Sequence, residues 1–156
     1  MSSLRIVAAE AADLPDVTRL YIHLSEYQRA MAPDAPRFRV DDTGWEDYAK
    51  KKFDDPRAFL FVARLGDEVV GFIGTALADK PWGTSYEILT LIVEEERRGR
   101  GIGTALLGFA EAHAGRVEAD GLRVDVLLQN EDARRFYERA GYSPTSVRHA
   151  KPVPKN

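Results

Sequence analysis

A short segment of the chain combines three alternating glycines with three arginines: RRGRGIGT, residues 97–104. Glycine has no side chain, so the backbone can approach a ligand closely and turn several N–H groups in one direction. The apolar run 86–93 predicts a strand before this segment, and the pattern after it predicts a helix over 101–119. A helix N-terminus adds a positive dipole, and the arginines add charge. The segment therefore predicts a site for a polyanion, most simply a pyrophosphate.

Two other phosphate loops share part of this pattern. A dinucleotide-binding loop needs G-x-G-x-x-G, but Thr104 stands at the third glycine position counted from Gly99. Asp125, on the next predicted strand, lies at a suitable separation for a ribose contact, so this alternative stays open. An ATP-binding loop needs a lysine before Thr104, and none is present. A glycine-rich turn that only begins a helix is the third alternative.

Two segments together resemble the signatures of the GNAT (GCN5-related N-acetyltransferase) family. Residues 98–103 match R/Q-x-x-G-x-G/A and follow an L-x-V strand at 91–93. Residues 130–142, NEDARRFYERAGY, are similar to the family's N-x-x-A-x-x-F-Y-E-x-x-G-F segment. The glycine signature alone is moderately specific, and the two segments at this spacing are strongly so. The resemblance spans nearly the whole chain.

The resemblance implies a binding site for acetyl-coenzyme A (acetyl-CoA) as co-substrate. In the family, backbone N–H groups of the loop hold the pyrophosphate, and the preceding strand pairs with the peptide-like pantetheine arm where the sheet splays open. Asn130 would cap the following helix and touch the same arm. Carried onto this sequence, the coenzyme-binding residues are Leu91, Ile92, Val93, Arg98, Gly99, Arg100, Gly101, Ile102, Gly103, Thr104, Asn130 and Tyr137.

The resemblance also implies the catalytic residues. Tyr137 would be the general acid that protonates the departing CoA thiolate, since a phenol with a pKa of about 10 and a thiol with a pKa of about 8.5 are close enough for transfer. Glu87 is the candidate general base, directly or through water. Many relatives carry this glutamate two residues later, where this chain has Leu89, and side chains alternate along a strand. His23 and Glu46 are lesser candidates. The structural alternatives are simple packing for Tyr137 and solvent exposure for Glu87.

Composition disfavours several other classes of protein. The 156 residues carry a formal charge of −3 and no cysteine, which argues against a nucleic-acid binder, a thiolate metal site and a cysteine acyl-enzyme. The three histidines show no metal-ligand spacing. No apolar run is long enough to cross a bilayer, and the N-terminus lacks a secretory signal pattern. We therefore expect a cytoplasmic protein with no metal, no nucleic-acid partner and no membrane partner.

Hydrophobic periodicity predicts a β-α-α-β-β-β-α-β-α-β order, with a proline-containing loop over 32–39. Gly66-Asp67 predicts a tight hairpin, and the late strand-helix-strand unit predicts a parallel crossover. The fold class is α/β (α+β): a mixed, mostly antiparallel central sheet of about six to seven strands flanked by helices, with residues 142–150 as the last strand. We expect one domain over 1–150 and a flexible tail over 151–156.

The first functional interpretation is an acetyl-CoA-dependent N-acetyltransferase that moves the acetyl group directly to a primary amine in a ternary complex. The amine belongs to a small molecule or a peptide. Residues 34–57 hold seven acidic and six basic side chains, so their charge does not select the acceptor. A non-catalytic acyl-CoA sensor and, less favoured, a dinucleotide-dependent oxidoreductase are the alternatives. Proteins of this fold often pair, so the resemblance also points to a homodimer.

Overall fold

The computed structural model describes residues 3–35 and 43–155 of the chain. Residues 36–39 of the predicted loop therefore lie outside the described part. Two single-turn 3₁₀ helices, Ala11–Asp13 and Glu95–Arg97, accompany the longer elements. In chain order these are β1 (Leu4–Ala8), α1 (Leu14–Met31), α2 (Trp45–Asp54), β2 (Ala58–Leu65), β3 (Glu68–Lys80), β4 (Gly83–Val93), α3 (Ile102–Arg116), β5 (Gly121–Val124) and α4 (Glu131–Arg139).

Within the described residues, five strands form one sheet in the order β1-β2-β3-β4-β5. The first three pairings are antiparallel, and β4 pairs with β5 in parallel through the α3 crossover. Gly66, with a φ of +61°, makes the tight turn between β2 and β3, because glycine adopts this left-handed conformation at little cost. The predicted mixed, mostly antiparallel sheet with flanking helices is confirmed.

The predicted number of strands is wrong, because the sheet has five strands among residues 3–35 and 43–155, and residues 142–150 form none of them. A strand needs a neighbouring edge that satisfies its backbone N–H and C=O groups. Pro144 lacks an N–H donor, and residues 143–155 are exposed along their length. Arg148 of this segment forms an ion pair with Asp125, just after β5. The C-terminal segment is therefore tied to the fold by a side chain rather than by a backbone ladder.

Each face of the sheet packs against helices. α1 and α2 cover one face, as the helical spacing of apolar residues in α1 predicts. The buried residues of that cluster are Val17, Leu20, Tyr21, Ala49, Leu60, Val62, Val69, Phe72 and Ile92. α3 and α4 cover the other face. The buried residues there are Phe61, Ala63, Val70, Ile73, Tyr86, Ile88, Ile102, Leu106, Leu107, Ala110, Ala114 and Tyr137.

The sheet opens in the middle of β4. β4 pairs with β5 only over Ser85–Ile88, so within the described chain residues 89–93 have strand β3 on one side and no strand on the other. Leu89 is an extra residue at this point, because Ile88 lies opposite Thr75 and Thr90 lies opposite Gly74. A bulge of this kind bends the strand and increases its twist. The last part of β4 is thereby turned away from β5 and left with a free edge.

None of the helices in the described part of the chain combines the length and the apolar character that a bilayer crossing requires.

Candidate active site

The glycine loop lies between the free end of β4 and the N-terminus of α3. Gly99 and Gly101 have φ values of +77° and +82°, in the left-handed region that favours glycine. A β-carbon built on either residue would meet no atom within 4 Å, so the outer side of the loop is open space. The backbone from Arg98 to Thr104 therefore forms an open segment at a helix N-terminus, which we call the anion cradle. The predicted Arg98 donor is not available, because its N–H donates to the Glu95 carbonyl oxygen at 3.3 Å, so the open donors begin at Gly99. The shape of the cradle and its N–H donors fit a diphosphate.

Gly103 allows close packing behind the cradle. A β-carbon built on it would lie 3.7 Å from the Phe136 ring and 3.9 Å from Val93 Cγ2. The start of α3 is thus in near-contact with α4 on one side and with β4 on the other. The cradle, the free strand edge and the helix that carries Tyr137 meet at one place.

The three arginines of the loop have different surroundings. Arg97 pairs with a carboxylate of β3 at 3.1 Å. Arg98 Nε donates a hydrogen bond to the Val93 carbonyl oxygen at 3.0 Å, and its guanidinium lies 5.1 Å from the ring centroid of Tyr27. Arg100 is exposed and has no hydrogen bond or ion pair to any residue in 3–35 or 43–155. Of the three predicted cations, Arg100 alone has a side chain without a protein partner in this part of the chain.

Tyr137 lies on α4 and is 8% exposed, in the core cluster that also contains Leu91 and Val93. Its ring packs edge-on against Phe136 and Tyr142, with ring centroids 5.1 and 5.5 Å apart. Its hydroxyl forms no hydrogen bond to another described residue. Burial raises the pKa of Tyr137 well above its ordinary value of 10.0. The phenol therefore keeps its proton at neutral pH, and the raised pKa makes it a weaker acid toward a thiolate than an exposed tyrosine.

Asn130 begins α4 as the sequence predicts. Its Oδ1 accepts a hydrogen bond from the Ala133 N–H at 3.1 Å, which satisfies one of the unpaired donors of the first helical turn. The capping role is confirmed. Contact between Asn130 and a pantetheine arm stays a prediction.

Glu87 lies in the part of β4 that pairs with β5, away from the free edge. Its carboxylate accepts a hydrogen bond from Ser85 Oγ at 3.1 Å, and it lies 3.6 Å from Lys80 Nζ and 3.7 Å from Arg123 Nε. The Glu87 side chain is 20% exposed, so water still reaches it. An amine proton would have to compete with these two cations for the same carboxylate.

The bulge at Leu89 changes which residues of β4 share a face. Ile88 and Leu91 both pack beneath α3 although they are three residues apart, and Ile92 packs beneath α1. Side chains at even numbers face α3 before the bulge, and those at odd numbers face it afterwards. Leu89 itself is 44% exposed. The sequence comparison of residues 87 and 89 assumes that side chains alternate between the two faces of the strand. This alternation is interrupted at Leu89.

A cavity of about 400 Å³ opens beside the cradle, between α1 and the end of β4. Its lining includes His23 and Tyr27 of α1 together with Arg98. His23, one of the two lesser candidates for the general base, therefore lines the cavity. Glu46, the other lesser candidate, is exposed at the start of α2. Tyr27 was not predicted. It follows the buried Leu20 by seven residues, so helical spacing on one side of α1 was the signal that could have found it.

The sequence profile of the Acetyltransferase (GNAT) family matches residues 17–142, which is more than half of the chain. The matched range contains β4, the anion cradle and α4. The chain belongs to this family. The family named from the glycine signature and the N-x-x-A-x-x-F-Y segment is thereby confirmed.

Curated relatives of this GNAT chain include several acetyltransferases. It is 40% identical over 88 residues to the uncharacterized N-acetyltransferase MJ1530 of Methanocaldococcus jannaschii, a match that covers 56% of this chain and 53% of that protein. It is 32% identical over 99 residues to the aminoalkylphosphonate N-acetyltransferase of Salmonella typhimurium, covering 62% and 64%. The chain thus spans between about half and just under two thirds of the length of these relatives.

Solved structures with this GNAT fold cover nearly the full chain. A tetramutant of the BH1408 protein of Bacillus halodurans superposes with a TM-score of 0.84 at 22% identity, covering 96% of this chain and 99% of that one. The aminoglycoside acetyltransferase meta-AAC0020, from an uncultured soil metagenomic sample, gives a TM-score of 0.75 at 20% identity, with 97% of each chain covered. At these identities the likeness shows the fold alone.

Proposed function

We propose that this GNAT chain is an acetyl-CoA-dependent N-acetyltransferase that passes the acetyl group directly to a primary amine. The observation that carries the proposal is the open anion cradle, which stands next to a strand edge with no partner within the described residues. A diphosphate on the cradle would leave its attached pantetheine arm beside residues 89–93. An arm with amide groups would then bond to the strand edge as an added strand does.

The proposed coenzyme contacts divide between backbone and side chain. Leu91 and Val93 would use backbone groups of the free edge. Ile92 does not fit the role that the sequence predicts: the Glu94 N–H bonds to the Val70 carbonyl oxygen, so by ladder alternation the backbone groups of Ile92 point toward β3, and its side chain is buried beneath α1. The cradle would hold the diphosphate through the amides of residues 99–104, since the Arg98 N–H is bonded to Glu95, and the exposed guanidinium of Arg100 would add charge. A backbone N–H near Leu91 would polarise the thioester carbonyl.

In the proposed reaction, the amine nitrogen attacks the thioester carbonyl carbon. The new N–C bond forms, the C–S bond breaks, and the Tyr137 hydroxyl gives its proton to the departing sulfur. The location of Tyr137 in the cluster beside the end of β4 supports this role, as does its hydroxyl, which is accessible and has no hydrogen bond to another described residue. We assign Glu87 as the acceptor of the amine proton, directly or through water. Since the chain contains no cysteine, it cannot form a cysteine acyl-enzyme, and the proposed transfer is direct within a ternary complex.

The proposed acceptor class, primary amines, is supported by the family and by the named similar proteins. The named relatives act on aminoalkylphosphonates and aminoglycosides, and both of these classes carry amines. We include them, with polyamines, amino acids and lysine-containing peptides, in the acceptor panel of the test. A single domain over 1–150, a homodimer and a cytoplasmic location stay predictions.

The test has a binding arm and a turnover arm. Thermal unfolding with acetyl-CoA, NAD and NADP identifies the ligand of the folded state, because a specific ligand raises the melting temperature. Release of CoA thiol then reports turnover against the acceptor panel, and the cysteine-free chain contributes no thiol background. A preference for NAD or NADP would replace the proposal with an oxidoreductase, although the Asp125 carboxylate is already paired with Arg148. Binding of acetyl-CoA without turnover on any acceptor would favour a sensor.

Two tyrosine variants separate chemistry from packing. Tyr137→Phe should lower turnover by about 10²-fold or more, with coenzyme affinity unchanged, because only the proton donor is lost. Tyr142→Phe is the matched control: its ring packs on Tyr137, but its hydroxyl donates to Glu111 at 2.9 Å. It should keep near-normal turnover. Equal losses in both variants would show that the packing of the pair, rather than the Tyr137 proton, controls the rate.

A further inference from the structure

The Arg98 side chain turns away from the open side of the cradle and toward α1. Its Nε bonds the carbonyl oxygen of Val93, the last residue of β4, and its guanidinium lies over the ring of Tyr27. The first residue of the glycine signature therefore joins three parts of the fold: the loop, the free end of β4 and helix α1. Its side chain and its backbone N–H, which donates to the Glu95 carbonyl oxygen at 3.3 Å, are both used within the protein.

Among the described residues, Tyr27 lies outside the core. It belongs to neither of the two hydrophobic clusters described above, and it is 37% exposed. Its ring and Arg98 line the cavity of about 400 Å³ between α1 and the end of β4. Tyr27 is therefore a large aromatic residue beside a cavity, and its ring contacts the guanidinium of the first residue of the anion-binding loop.

A loop with two glycines at positive φ has many conformations to lose when it binds a ligand. Contacts that hold it in one conformation beforehand reduce that loss and increase affinity. Before Gly99, the Arg97 side chain is held by Glu68 and the Arg98 side chain by Val93 and Tyr27, and the Arg98 N–H bonds to the Glu95 carbonyl oxygen. After Gly99, the side chain of Arg100 has no partner among the described residues.

We propose that Tyr27 is a positioning residue for the coenzyme: by stacking on Arg98 it holds the cradle amides in the orientation that receives the diphosphate. The inference rests on the proposed use of acetyl-CoA. Tyr27 touches neither the thioester nor the amine in this scheme. Its loss should therefore weaken binding of acetyl-CoA and leave the rate at saturation unchanged.

Three variants test the role of the ring. Tyr27→Leu removes the aromatic face and should raise the dissociation constant and KM for acetyl-CoA about 2- to 5-fold, with kcat at saturation unchanged. Tyr27→Phe keeps the face and removes only the hydroxyl, so it should bind as the wild type does. Trp82→Leu truncates another exposed aromatic residue, in the β3–β4 turn at the opposite end of β4 from the cradle, and should leave coenzyme affinity unchanged. Isothermal titration calorimetry gives the affinities, and thiol release gives KM and kcat.

A double-mutant cycle identifies the route through Arg98. If the stack carries the effect, Arg98→Ala should weaken coenzyme binding less in the Tyr27→Leu background than in the wild type. Full additivity of the two substitutions would overturn the inference. So would equal affinity in Tyr27→Leu and wild type, or an equal loss in Tyr27→Phe and Tyr27→Leu. Failure of the wild type to bind acetyl-CoA would instead refute the proposed function itself, which distinguishes the two failures.

Discussion

Gly71 offers a sharp test of how tightly the end of β4 is packed. It lies in β3 directly opposite Val93. A β-carbon built on it would stand 2.8 Å from the Ile92 carbonyl oxygen, 3.3 Å from Val93 Cα and 3.4 Å from Leu106 Cδ1. Two of these three atoms are backbone, so no side-chain rotation can relieve the clash. We expect Gly71→Ala to push the end of β4 away from β3, at an overpacking cost of about 1–3 kcal/mol.

For a domain of this size, that cost corresponds to a melting temperature lowered by roughly 2–12 °C. Coenzyme affinity should fall as well, because the displaced residue Val93 anchors Arg98. Gly108→Ala is the control. It lies inside α3 with no atom within 4 Å of the added carbon, so it should stabilise the chain by about 0.5–1 kcal/mol. Circular dichroism melts and calorimetric titration with acetyl-CoA measure both effects. A Gly71→Ala variant that melts at or above the wild-type temperature would refute the packing argument.

Two further substitutions probe polar groups that are wholly or partly buried. The Nδ1 atom of His113 lies 2.9 Å from the Tyr86 hydroxyl, and burial lowers the pKa of His113 below its ordinary value of 6.5. Because the unfolded chain then binds more protons than the folded one, the free energy of unfolding should fall as the pH drops below about 6.5. Urea unfolding at several pH values should show this slope in the wild type and a smaller one in His113→Gln, and equal slopes would contradict the assignment. Asp13→Ala should cost about 3 kcal/mol in the same assay, because it strands the Arg64 guanidinium, which is 16% exposed and 2.7 Å from the carboxylate. A loss below about 1 kcal/mol, as for an exposed pair, would show that this ion pair is not effectively buried.

Local sequence was enough to predict the parts of the site that depend on neighbouring residues. Alternating glycines after an apolar strand and before an amphipathic helix specify an open loop at a helix N-terminus, and the structure has one at Gly99 and Gly101. Asn130 and Ala133 stand three residues apart, which is the spacing of a helix cap, and the cap is present. Gly66 made the hairpin predictable for the same reason. In each case the responsible atoms lie within a few residues of one another along the chain.

Tertiary structure alone decided the features that need a partner from elsewhere in the chain. Residues 142–150 have the local pattern of a strand but pair with no strand of the described sheet. Strand formation depends on backbone hydrogen bonds to another segment, which local sequence does not specify. The bulge at Leu89 exists only in the register of β4 against β3. The direction of the Arg98 side chain is set by a carbonyl and a ring, Val93 and Tyr27, and Tyr27 lies on a different element. Sequence spacing describes short-range geometry, whereas side-chain direction and strand pairing are settled by contacts between distant segments.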